Sequence, residues 1–153
     1  MKSTFLTALT LCLATFIFSC SSDDSGDSTT TPTVTDVTNT VTSGTWRITN
    51  YIDSGENETT DFTGYNFTFD TNNILRATNG TNEYIGSWSV TNDDSNDDSP
   101  SNDLDFNIAF GGPANFLDLT DDWDIQSRTA TKIELIDVSG GNGGTDYLTF
   151  EKN

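Results

Sequence analysis

The sequence predicts an all-β fold, an eight-stranded up-and-down antiparallel barrel, over residues 44–153. Three observations carry that prediction. Apolar residues recur at every second position through segment after segment, which is the period of a strand and not of a helix. The joints between segments are mostly short and rich in Asp, Asn, Ser and Gly, so successive strands lie side by side and antiparallel. Eight such segments in about 110 residues close most economically as a barrel, which leaves no exposed edge. A β-sandwich is the alternative.

The strands are read, in order, at residues 45–52, 62–70, 73–79, 83–91, 103–110, 121–128, 131–138 and 145–151. Trp46, Ile48 and Ile52 are assigned to one face of the first strand, and Tyr65, Phe67 and Phe69 to one face of the second. The pattern continues with Trp88 and Val90, then Leu104, Phe106, Ile108 and Phe110, then Trp123 and Ile125. Ile133 and Leu135, and Leu148 and Phe150, complete it. Arg47, Asn66, Thr68, Asp105, Asn107, Asp124 and Gln126 take the opposite face, giving the one wet side that antiparallel sheet tolerates. Turn chemistry marks Asp53-Ser54-Gly55, Asp70-Thr71-Asn72-Asn73, Asn79-Gly80 and the glycine run at 140–144. Two links are longer, residues 92–102 and 111–120. In the second, Phe116, Leu117 and Leu119 predict a lid or one short helical turn. Strands of mostly seven to nine residues fall short of the ~9–11 that cross an outer membrane, so a membrane barrel is not expected.

Ahead of the barrel, Met1-Lys2 opens an apolar run at 5–18 that ends in Ser19-Cys20, the layout of a secretory signal peptide. As a helix that run would rise only ~21 Å, against a bilayer core of ~30 Å. Ile17-Phe18-Ser19-Cys20 resembles a bacterial lipobox. The resemblance implies cleavage before Cys20, a diacylglycerol on its sulfur and an acyl group on its new amine. Ser22-Asp23-Asp24 resembles the signal that exports Bacteroidota lipoproteins to the outer face of the outer membrane; a solvated acidic linker is the plainer alternative. The expected organisation is a signal peptide at 1–19, a lipidated cysteine with a disordered Ser/Thr/Asp-rich tether at 20–43, and the barrel at 44–153.

The chain carries 24 acidic against 6 basic residues and a net charge of −18. Phosphate backbones would be repelled, so nucleic acid is excluded as a partner. Membrane attachment would come from the lipid on Cys20, whose acyl chains contribute ~0.8 kcal/mol per buried CH₂. Cys12 would leave with the signal and Cys20 would be acylated, so no intramolecular disulfide is expected. Histidine is absent, which removes Ser-His-Asp and Cys-His nucleophile systems and the usual Cys/His zinc sites. No catalytic residue is assigned, and neither an enzyme nor a cofactor is expected.

Gly44-Thr45-Trp46 resembles the G-x-W signature that opens lipocalins. With Gly86-Ser87-Trp88-Ser89, Asp121-Asp122-Trp123-Asp124-Ile125 and Leu148-Thr149-Phe150-Glu151-Lys152, the domain resembles the small lipocalin-like lipoproteins of Bacteroidota. That resemblance implies a lipocalin-like barrel that binds a small apolar molecule. It also implies a cation stacked on the first Trp, here Arg128 or Lys152. Thr145-Asp146-Tyr147 mimics the second lipocalin signature but sits on the last strand, where that signature does not belong.

Trp46, Phe67, Phe69, Trp88, Phe106 and Trp123 are the candidate lining of a cavity or filling of a core. Asp94, Asn96, Asp98 and Asp105 have the spacing of a calcium loop, although Ser99 replaces the glycine such a loop needs and Pro100 follows. A solvated acidic loop is the simpler reading. The expectation is a surface-anchored lipoprotein whose barrel binds a small apolar ligand. The alternative is a structural or interaction module with a filled barrel, a subunit of an envelope complex. An interior cavity of ~300 Å³ or more would favour the ligand.

Overall fold

A computed structural model describes residues 32–92, 104–138 and 144–153. The first element is a helix that the sequence reading placed inside the tether. α1 spans Val34–Val41, and Thr33 caps it: its hydroxyl accepts from the Asp36 N–H while the Asp36 carboxylate accepts from the Thr33 N–H. Val and Thr are poor helix formers, so the helix depends on docking. Val37 and Val41, four residues apart on one face, have no accessible surface. The expected disordered tether at 20–43 is therefore corrected over 34–41, while residues up to 31 lie outside those described. Gly44, at φ +90°, turns the chain from helix into strand, a conformation that a side chain at this position would strain.

Nine strands follow: β1 Trp46–Asp53, β2 Glu56–Asn57, β3 Asn66–Phe69, β4 Ile74–Thr78, β5 Glu83–Asn92, β6 Leu104–Phe110, β7 Asp121–Arg128, β8 Lys132–Val138 and β9 Thr145–Lys152. Each pairs antiparallel with its neighbour, and β9 returns to pair with β1, closing the sheet. β2 is only a two-residue flap on the end of β1, so the wall is a closed eight-stranded barrel. The β-sandwich alternative is set aside by that closure. A 3-10 turn at Thr59–Phe62 replaces the start of the predicted second strand, because Thr59 anchors there to the Tyr51 backbone. α2, Ala114–Leu117, is the short helical turn expected in the 111–120 link.

Period two holds except at two bulges, and both change what points inward. In β1 the register slips between Ile48 and Asn50, so Tyr51 rather than Ile52 enters the core. The expected face shared by Trp46, Ile48 and Ile52 is corrected accordingly. In β7 the slip between Ile125 and Ser127 puts Arg128 opposite the fully buried Ile133, hence on the inner face. At a third place, Gly86, a Cβ would lie 2.4 Å from the Ala109 carbonyl oxygen, so only glycine permits β5 and β6 this close an approach.

Candidate functional site

The barrel interior is where the sequence placed its candidate residues, and it is full. Trp46, Phe67 and Phe106 have no accessible surface, and Phe69, Trp88 and Trp123 retain 4 % or less. A side chain bordering a space wide enough for water keeps accessible surface even inside a closed barrel, so these six do not line a cavity in the barrel interior. Phe69 makes edge contacts with Trp88, Phe106 and Phe150 at centroid distances of 5.4–5.5 Å, the spacing of a packed aromatic core.

One end is closed by the segment ahead of β1 and the other by the link between β6 and β7. At the end where β1 begins, Val37 and Val41 of α1 enter the core, and Trp46 donates its indole N–H to the Val41 carbonyl at 2.8 Å. Arg128 reaches the same helix, with Nη1 on Thr40 Oγ1 at 2.5 Å, while its buried Nε has no partner. Lys152, paired across the closure with Trp46, places Nζ 5.0 Å from the Trp46 ring centroid. Of the two cations proposed for that ring, Lys152 takes it and Arg128 holds the helix. At the other end Phe116 of α2, fully buried, sits among Phe62, Tyr65, Tyr84 and Phe110 at 4.7–5.3 Å.

Around this second end runs an acidic rim that the sequence reading missed. Asp53 from the end of β1, Glu58 from the link after β2 and Asp118 from the end of α2 bring carboxylate oxygens within 4.8 Å of one another. Burial, then Asp53, Asp118, Asp61 and Glu56, raise the Glu58 carboxyl above its ordinary value. Beneath the rim Tyr51 donates its hydroxyl to the Asp118 carbonyl at 2.7 Å, and burial together with the surrounding acids pushes its pKa upward. Three hard oxygens suit a cation such as calcium, but they supply only part of the ~6–8 ligands its shell takes. No sequence signal pointed here, because the three acids are up to 65 residues apart and only barrel closure gathers them. Farther round, Asp121 is raised to about 6 by burial, then by a hydrogen bond with the Asp122 carboxyl, which outweigh the lowering effect of the Asp122 N–H.

Cys20, Ser22, Asp23, Asp24, Asp94, Asn96 and Asp98 lie outside the described residues. Asp105 faces outward from β6 and accepts from the Thr91 hydroxyl at 3.3 Å. Among the described residues no helix is long and apolar enough to cross a membrane.

No known family's model matches the chain, and no curated protein matches it. Among solved structures it is similar to a duf4847 family protein from Bacteroides vulgatus, at 17 % identity and a TM-score of 0.48. The match covers 76 % of this chain and 97 % of that one.

Proposed function

We propose that this chain is a non-catalytic lipoprotein, anchored through Cys20 and exported by Ser22-Asp23-Asp24 to the outer face of the outer membrane. In this reading its lipocalin-like barrel is a solid interaction or structural module of the envelope. One observation carries the choice of module over container: the aromatics selected as possible cavity lining retain 4 % or less of their accessible surface. An apolar ligand entering that interior would have to displace packed rings, at a cost comparable to the ~3–5 kcal/mol of removing one large aromatic.

Two measurements test the reading. Cys20→Ser should move the protein from the membrane to the soluble fraction; persistence in the membrane would overturn the anchor. A fluorescent long-chain fatty acid titrated into the protein should show no saturable one-to-one binding. Saturable binding that quenches the buried Trp residues would restore the expected small apolar ligand.

A further inference from the structure

The outer wall of the barrel carries a depression, lined mainly by residues on the outward face and bordered by the core residues Trp88 and Ile108. On most of the wall the outward positions hold long side chains, such as Arg47 beside Glu151 and Tyr147 beside Ile136. Over β5, β6 and β7 they shrink. Ser87 lies opposite Ala109, and Ser89 opposite Asn107, which in turn faces Asp122. With Asn73 at one side and Thr120 and Asp121 at the other, these residues border a groove of about 530 Å³, within the ~300–1,000 Å³ typical of small-molecule sites.

We propose that this groove binds a neutral saccharide unit. A polyhydroxylated ring needs both donors and acceptors around it and a flat apolar patch beneath it. Ser87 and Ser89 supply hydroxyls that have no hydrogen-bond partner among the described residues. Asn107 lines the groove with its amide held by an N–H given to Thr91 at 3.0 Å. Asp122, hydrogen-bonded to Asp121, lies at one side, and the exposed Ala109 methyl adds apolar surface. No Arg or Lys lines the groove, which selects against phosphorylated or otherwise anionic sugars. Because the site is shallow and open, affinity for a single disaccharide should lie near ~1 mM.

The test uses amide chemical shifts of the full chain, with maltose, cellobiose and chitobiose as probes up to about 50 mM. At least one of them should shift the amides of Ser87, Ser89, Asn107 and Ala109 saturably. Ala109→Arg, which fills the groove from an exposed position, should weaken that binding about tenfold with the melting temperature unchanged. Should that variant fail to fold, Ser87→Ala combined with Ser89→Ala should weaken binding by at least about threefold. The proposal is overturned if none of the three sugars moves these amides or if the substitutions leave binding intact. It is equally overturned if spermidine, and no sugar, produces the shifts, since the groove would then be a cation site. None of these outcomes depends on the lipid anchor.

Discussion

Trp46 joins three parts of the molecule at one ring. Its indole N–H holds the carbonyl end of α1, its face carries the Lys152 ammonium, and its body fills the barrel between β3 and β9. Trp46→Ala should cost ~3–5 kcal/mol in a denaturant titration, whereas Thr68→Ala on the outer face should cost well under half of that. Equal costs would deny Trp46 its plugging role. Asp121 gives a pH signature. Its folded pKa of about 6 exceeds the ordinary 3.8, so the folded state binds the proton more tightly than the unfolded chain. The stabilisation is fully present below about pH 4 and is lost as pH rises through about 6. Lowering the pH from about 7 to about 5 should therefore raise the melting temperature, by an amount equivalent to ~1 kcal/mol once solvent screening is allowed for. Glu58 adds the same sign. Asp36 and Glu134, held below their ordinary values, lose stability only at lower pH. Asp121→Asn should flatten the profile; an unchanged slope would place its origin elsewhere. That Trp46 is buried was legible in the alternation, but the raised carboxyl was not, because burial of Asp121 depends on neighbours from other strands.

At the scale of elements, α1 shows what composition conceals. Thr33 and Asp36 form a capping box, and Val34, Val37 and Val41 fall at helical spacing, so a signal was present within a Ser/Thr/Asp-rich stretch. Eight residues of Val, Thr, Asp and Asn do not form a stable helix in water, and that makes the stretch look like tether when read locally. The docking surface decides the outcome: two valines sealed against the barrel, and hydrogen bonds given to the helix by Trp46 and Arg128. A chain begun at Gly44 should thus be less stable than one begun at Pro32, by ~3 kcal/mol or more from the two valines alone. Urea midpoints of the two chains measure the difference directly. If they coincide, α1 is an ornament and the boundary drawn from sequence at residue 44 stands.

Among the described residues the basic side chains gather mostly at one end of the barrel. Arg47, Arg128, Lys132 and Lys152 cluster at the end bearing α1, whereas Asp53, Glu58, Asp118 and Asp121 ring the far end. Among the described residues three exposed ion pairs, Arg47 with Glu151, Arg76 with Glu83 and Lys132 with Glu134, tie down only part of a net charge of −18. Exposed pairs contribute little, while unbalanced like charge works against the compact state. Raising NaCl from about 10 mM to about 0.5 M, which shortens the screening length from ~30 Å to a few ångströms, should raise the melting temperature. A fall would mean that the pairs outweigh the repulsion.

The sequence by itself determined the all-β class, the order and approximate limits of eight strands, the helical turn in the link at 111–120 and most of the inward-facing residues. These follow from strand pleating and turn chemistry, which act between near neighbours. Only the tertiary structure decided that β9 closes on β1, that bulges turn Tyr51 and Arg128 inward, and that α1 stops one end. It also decided that the aromatics fill the barrel rather than line a cavity. Each of those depends on surfaces brought together from distant parts of the chain, and period two is the same whether the space behind it is empty or packed.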